Sequence, residues 1–401
     1  RTAALVRMAA ALRAQTPRIL AENALDLAEA REGGLAGPLV ARLALTPTKL
    51  AGLADGLLRL AEAPDPVGRG IRRTELASGL VLDQHTVPLG VVLVIFESRP
   101  DALPQIAGLA VRSGNGVLLK GGAEAARSNA VLAEVIREAL APLPAAAVTL
   151  ATTRADVAEL LRLDDTIDLV IPRGGNALVR AIREGTRIPV LGHADGVCHV
   201  YLHAAADLAM AEAIALDAKT DYPAACNAME TLLVDRALVG RGAERVLEAL
   251  RAAGVALHAG PDCPWAAGWG LPPAPALHHE YADLACTVQV VDGVQAAIAH
   301  VEAHGSAHTD AIVTDDAEAA RQFVDGVDSA CVFVNASTRF ADGARFGLGA
   351  EVGVSTSRIG ARGPVGVEGL LTTRWRLVGQ GDTVAPFTRG ERRFSWRPLE
   401  P

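Results

Sequence analysis

The chain has 401 residues, half of them hydrophobic, and a formal net charge of -8. That length supplies apolar material for two or three domain cores, while the acidic balance leaves no basic footprint for nucleic acid. Its longest apolar run, Val91 to Phe96, falls far short of the roughly 20 residues of a membrane-spanning helix.

Apolar residues recur at helical spacing from Ala3 to Arg31, and Thr46-Pro47 opens a second amphipathic helix running to about Ala61. Arg7, Arg13 and Arg18 interrupt the apolar positions, so no secretory signal is read here and a cytoplasmic location is expected. From Ile71 to Phe96 the period becomes two-fold, with turn residues at Ser78-Gly79 and Pro88-Leu89-Gly90, predicting a hairpin that leads into the buried strand VVLVIFES. Short apolar strands then alternate with helices through GVLLKGG, VTLAT, DLVIPRGG and IPVLG, the pattern of a parallel sheet covered on both faces.

A second α/β unit begins near Ala204 and carries TLLV, VALHAG, CTVQVV, DAIVT and ACVFVN as strands. Past Arg362 the chain is rich in Gly and Arg, and TTRWRLVGQ reads as an edge strand. The expected division is 1–72 and 87–200 for a Rossmann-like unit, 201–370 for a unit carrying the reactive thiol, and 73–86 with 371–401 for a small β element that makes subunit contacts in a homo-oligomer. The predicted fold is therefore α/β, with two doubly wound domains.

Five cysteines, Cys198, Cys226, Cys263, Cys286 and Cys331, are odd in number, widely spaced and free of CxxC or Cys/His pairing. That spacing argues for reduced thiols and against both a disulfide framework and a structural zinc site. Of 38 basic residues only Lys49, Lys120 and Lys219 are lysines. Lys49 reads as part of a polar helix start, Lys219 as a surface residue. Lys120 follows a strand, and with Gly121 it ends LLKGG, where the backbone can approach a ligand beyond the carboxyl edge of a parallel sheet. Gly174-Gly175 sits between strand and helix in VIPRGGNALV, with Asn176 as expected cap, so free N–H groups there favour an anion.

Several segments together resemble a known family: FESRPDALPQIAGLAVRSGNGVLLKGG, PRGGNAL, LGHADGVCHVY, AKTDYPAACNAMETLLV, HGSAHTDAIVT and FGLGAEVGVSTSRIGARGPVG are similar to stretches of the γ-glutamyl phosphate reductases, members of the aldehyde dehydrogenase superfamily. The resemblance runs in order from the first helices to about Gly379. It implies an aldehyde dehydrogenase-like fold and NADPH-dependent reduction of L-glutamyl 5-phosphate to L-glutamate 5-semialdehyde and phosphate, a step of proline biosynthesis. It also implies Cys226 as nucleophile, Lys120 and the Gly174-Gly175 turn beside the dinucleotide, and Glu280 in HHEYADL at the nicotinamide ribose. A functional association with glutamate 5-kinase is implied too.

The chemistry agrees with these residue types, because a thiolate attacks an acyl phosphate to give a thioester that accepts hydride more readily than a carboxylate. Backbone N–H groups around Cys226-Asn227 are expected to lower the thiol pKa and stabilise the oxyanion. The other four cysteines read as core. Relative to aldehyde-oxidising relatives, the oxyanion-loop position reads Glu97-Ser98-Arg99, and the region Leu191 to Gly196 lacks the glutamate that activates water, which fits a reductase. His193 and His308 are the candidates for general acid. Ser98, Arg99, Ser306, His308 and Asp310 are expected to bind the substrate, and Arg345 stays open as an anion partner. NADP over NAD follows from the resemblance alone, since Lys120 suits either a ribose hydroxyl or a 2′-phosphate and Glu124 disfavours the latter. The chain opens at Arg1 rather than Met, so an upstream piece is left open, and no glutamate-kinase domain is read in these residues. Two other readings stand beside this one: an aldehyde dehydrogenase-fold enzyme acting on another acyl or aldehyde substrate, and a nucleotide-binding scaffold without turnover.

Overall fold

The computed structural model describes residues 1–193 and 195–401, with the side chains of Pro38 and Arg154 outside the description. Four helices open the chain: α1 (Thr2–Ala14), α2 (Thr16–Glu32), α3 (Gly37–Leu43) and α4 (Pro47–Glu62). The sequence predicted one helix over Ala3 to Arg31, yet the chain restarts at Thr16, because Pro17 has no N–H to offer the preceding turn and suits only the first turn of a new helix. Helix α4 begins as expected: Thr46 accepts a hydrogen bond from Lys49 N–H at 3.1 Å, and Leu50, Leu53, Leu57 and Leu60 form its buried stripe.

Strands β1 (Gly70–Ala77) and β2 (Leu80–Pro88) form the expected hairpin, with Gly79 at φ 78° in the turn where only glycine is unstrained. The next strand, β3 (Val91–Phe96), lies centrally in a parallel sheet ordered β5-β4-β3-β6, with β4 (Gly116–Lys120), β5 (Val148–Leu150) and β6 (Leu169–Arg173). Helices α5 (Ala102–Ser113), α6 (Ala126–Ala139), α7 (Arg154–Leu160) and α8 (Asn176–Gly185) alternate with these strands. Val92, Val94 and Phe96 point into a core shared with α1, α4, α5 and α6, while Leu93 and Ile95 face Val170 and Ile182 on the other side. The expected strand IPVLG makes only a single bridge, Val190 to Val170. Pro189, lacking an N–H, cannot donate to a ladder there.

A second sheet is parallel throughout, ordered β12-β11-β7-β8-β10-β9. Its strands are β7 (Cys198–Leu202), β8 (Met229–Asp235), β9 (Ala256–Ala259), β10 (Ala285–Val291), β11 (Thr309–Val313) and β12 (Cys331–Val334). Helices α9 (Leu208–Thr220), α10 (Ala243–Ala252), the short α11 (Ala266–Trp269), α12 (Gly293–His304) and α13 (Ala317–Gly326) connect them. Here the expected division at residue 200 needs correction: β7 pairs with β8 and β11, so the chain crosses into the second sheet before Cys198. Periodicity could not show this, since β7 is one more apolar strand in an alternating series.

Downstream, β13 (Val354–Ser355) and β14 (Gly363–Pro364) form a two-stranded ribbon. Then β15 (Leu371–Val378), the one-turn α14 (Ala385–Thr388) and β16 (Arg397–Leu399) follow, and the two strands flank the early hairpin in an antiparallel sheet ordered β15-β2-β1-β16.

Candidate active site

Cys226 lies in the loop between α9 and β8, at the amino edge of the second sheet. Two devices hold that loop. Asn227 donates its side-chain amide to the carbonyl of Ala341 at 2.9 Å, and Asp221 accepts from Arg339 at 3.1 Å and Arg345 at 3.0 Å. Gly196 packs against the loop so closely that any side chain would strike the carbonyl and Cα of Cys226. Cys226 is half-buried, whereas Cys198, Cys263, Cys286 and Cys331 are buried, as expected of core thiols.

Around the sulfur the fold gathers His193, from the crossover into β7, and His308, from the turn before β11. One ring nitrogen of each and the Cys226 Sγ all lie within 4.8 Å of one another. His193 Nδ1 is 3.0 Å from the Val354 carbonyl, a contact in which Nδ1 donates, turning the other nitrogen free. His308 Nδ1 lies 2.8 Å from Thr309 Oγ1 and 3.8 Å from Cys198 Sγ. The two rings meet edge-on with centroids 4.7 Å apart.

Burial alone would raise the Cys226 pKa, but the charges of His308 and His193 outweigh it and hold the thiol well below its ordinary 9. For His193, burial acts downward and the Cys226 thiolate acts upward, with help from the Val354 carbonyl and Glu280, carrying the imidazole up to about 9. Both shifts run in the direction that favours a thiolate beside an imidazolium. The cysteine pattern argued against a structural zinc site; residues 193, 226 and 308 are far apart in the chain, and folding brings these three donors together.

The other sequence candidates divide. Lys120, buried at the end of β4, donates to the carbonyl of Gly121. Ser98, at φ 47°, gives both its backbone N–H (2.7 Å) and its hydroxyl (2.8 Å) to Glu124, so it holds a carboxylate rather than facing the sulfur. Gly174 and Gly175 precede α8, and Gly175 N–H donates to the Glu97 carboxylate at 3.1 Å. Asn176 is the first helical residue rather than the cap, and its amide bonds Asp195 instead. Ser306 bonds the backbone of Val197 at 2.9 Å, and Asp310 is wholly buried against His199 at 2.8 Å and Ser329 at 2.5 Å, so both are occupied inside the second sheet. Arg345 is likewise taken, by Asp221 and the Arg339 carbonyl.

Lys219 is the clearest correction. It is 0% exposed and pairs at 3.1 Å with Glu230, itself 0% exposed. Glu230 also accepts from the N–H of Tyr281 (3.1 Å) and of Ala282 (3.3 Å), tying β8 to the loop that presents Glu280. Burial pushes Glu230 up to about 7, against the pull of Lys219 and the two N–H groups. The scarcity of lysine was the available signal, and the helical setting of Lys219 hid it.

A cavity of about 390 Å³ opens between α4, the start of α5, the end of β6 and the 342–351 segment, lined by Lys49, Arg59, Arg99, Arg173, Asp101, Asp342 and Glu351 among others. Among the described residues neither Arg59 nor Arg99 has an ion-pair partner. Arg173, at the end of β6, is 3.8 Å from Glu351 and feels the charge of Cys226. Arg173, at the carboxyl edge of the first sheet, is thus within charge reach of the thiol at the amino edge of the second.

A family model of the aldehyde dehydrogenase family matches residues 59–266. The chain is 50% identical to a γ-glutamyl phosphate reductase of Prochlorococcus marinus, over all of this chain and 92% of that one. The chain belongs to the γ-glutamyl phosphate reductase family. A crystal structure of γ-glutamyl phosphate reductase from Thermotoga maritima superposes with a TM-score of 0.91 at 36% identity, over 95% of this chain and 94% of that one. An acetylating aldehyde dehydrogenase from Geobacillus thermoglucosidasius, 21% identical with a TM-score of 0.67 over 95% of this chain and 92% of that one, shares the fold. The chain is also 56% identical to a Δ1-pyrroline-5-carboxylate synthase of Oryza sativa over 95% of its own length; it spans about half, 53%, of that plant relative. No helix is long and apolar enough to cross a membrane among the described residues. In this reductase family setting, the aldehyde dehydrogenase fold expected from the sequence is the fold observed.

Proposed function

We propose that the chain reduces L-glutamyl 5-phosphate to L-glutamate 5-semialdehyde and phosphate, as a step of proline biosynthesis, with NADPH as reductant. The observation that carries this is the half-buried thiol of Cys226 grouped with two histidines, together with a cavity lined by Lys49, Arg59, Arg99 and Arg173, of which Arg173 feels the charge of Cys226. Cys226 Sγ attacks the acyl carbon, the carbon–oxygen bond to the phosphoryl group breaks, and a thioester forms with phosphate as leaving group. Arg99, Arg173, Arg59 and Lys49 offer the anionic substrate its charge partners, and Asp101 and Glu351 offer partners for its ammonium. His193 holds a proton beside the sulfur, which keeps the thiolate ionised and meets its returning charge when the carbon–sulfur bond breaks to release the aldehyde.

The residues along the first sheet fit a nicotinamide dinucleotide. Lys120, Gly121, Gly174 and Gly175 follow the carboxyl ends of β4 and β6, the two parallel strands that flank β3, and among the described residues nothing stands within 4 Å of where a side chain on Gly175 would begin. These residues and Asn176 would hold the dinucleotide and Glu280 would meet its ribose. When bound in reduced form, it supplies the hydride that the thioester carbon accepts. Ser98 neutralises part of the Glu124 charge through two hydrogen bonds, which supports a 2′-phosphate near Lys120. A cytoplasmic homo-oligomer, joined through the β15-β2-β1-β16 sheet and in functional association with glutamate 5-kinase, completes the reading.

The test is the reverse reaction: glutamate semialdehyde, phosphate and NADP or NAD, with wild type and Cys226→Ala compared. Phosphate-dependent reduction of NADP, falling by about 10⁴-fold or more in the variant, is expected. Turnover without phosphate would assign a different acyl or aldehyde substrate.

A further inference from the structure

We propose that His193, Cys226 and His308 form a zinc site whose occupancy silences the nucleophile. The reading stands on the donor set and its surroundings, whichever acyl substrate the thiol serves. A thiolate and two imidazoles are borderline-soft donors that suit zinc, and three protein ligands with an open fourth position make a common zinc geometry.

Each ring is already prepared as a ligand. A metal-binding histidine characteristically secures its second nitrogen on a backbone or polar group. His193 Nδ1 is secured on the Val354 carbonyl at 3.0 Å, and His308 Nδ1 lies 2.8 Å from Thr309 Oγ1. That leaves Nε2 as the remaining nitrogen on both rings. His308 Nε2 is the independent pointer: the residue is 0% exposed, and among the described residues this nitrogen has no hydrogen-bond partner. Such an orphaned buried atom is costly unless something binds it.

The three donor atoms lie within 4.8 Å of one another, against separations of about 3.5 Å around a tetrahedral zinc, so side-chain rotations of about an ångström close the site. Cys226 is half-buried, which leaves an entry path. On binding, the sulfur and one nitrogen of each imidazole donate a lone pair to the metal, any proton that these three atoms carry passes to solvent, and no electrons are transferred. The sulfur lone pair that would attack the substrate is then committed to the metal.

The experiment uses the full chain, stripped with chelator and titrated with Co²⁺, which reports thiolate ligation as a sulfur-to-metal absorption band, followed by competition with Zn²⁺. One metal per chain is expected, with the band absent in Cys226→Ala and affinity at least about 10-fold lower in His308→Gln. Circular dichroism checks that both variants are folded. In wild type, Zn²⁺ should also slow iodoacetamide labelling of Cys226 at least 10-fold, with chelator restoring it, a readout that needs neither variant nor turnover. A band that persists in Cys226→Ala, or labelling unaffected by Zn²⁺, overturns the site.

Discussion

The reactivity of Cys226 depends on two neighbours that cancel its desolvation. Its thiol lies well below 9 because His308 and His193 supply positive charge that outweighs burial, and His193 in return keeps its proton up to about 9. Iodoacetamide labelling in chelator-treated buffer should therefore be fast and nearly flat from neutral pH to about 9. It should fall only as pH drops through the lowered thiol pKa, whereas an ordinary thiol would rise steadily toward 9. A rate that climbs tenfold per unit through neutrality would show the thiol to be protonated. Beneath Cys226, Gly196→Ala forces a methyl group into the Cys226 backbone. Backbone cannot yield as a flexible side chain can, so the expected cost is roughly 1–3 kcal/mol of stability, seen in denaturant melts. Turnover should fall by about 10²-fold, because the sulfur is displaced from its attack position.

Among elements, the link that matters is between α9, β8 and the loop before β10. Lys219 on α9 and Glu230 on β8 form a buried pair, and Glu230 holds the backbone of Tyr281 and Ala282, beside Glu280. Replacing one partner strands the other without a counter-ion, so Lys219→Met should cost about 3–5 kcal/mol in urea unfolding. The double replacement Lys219→Met with Glu230→Leu removes both charges and should recover most of that loss. It should still raise the KM for the nicotinamide nucleotide, since the 280–282 loop loses its anchor. Recovery of stability together with an unchanged KM would separate the pair from the cofactor.

For the whole molecule, the sheet β15-β2-β1-β16 presents Trp375 and Leu377 on one face of an edge strand, 49% and 55% exposed. An edge strand carrying exposed apolar groups is a surface for pairing with another chain. Sedimentation should show wild type as a multiple of the chain mass, and Trp375→Lys with Leu377→Lys should shift it toward the single chain. A wild type that sediments as one chain would remove the subunit role from this sheet.

The sequence by itself determined most of the elements and pointed to a candidate thiol: alternating apolar strands and amphipathic helices are local patterns, and CNAMET marks Cys226 by resemblance. It read Lys120, Gly174 and Gly175 onto strand ends because turn chemistry is local as well. Only the tertiary structure decided which strands share a sheet, moving β7 into the second, because pairing depends on partners that apolar runs do not name. The same holds for side chains that take their meaning from distant residues. Lys219 was buried by Glu230, Asp310 was claimed by His199, and His193 and His308 became partners of Cys226 across more than eighty residues of chain on one side and thirty on the other. A side chain's charge state follows from what folding places within a few ångströms of it, and spacing along the chain carries no record of that.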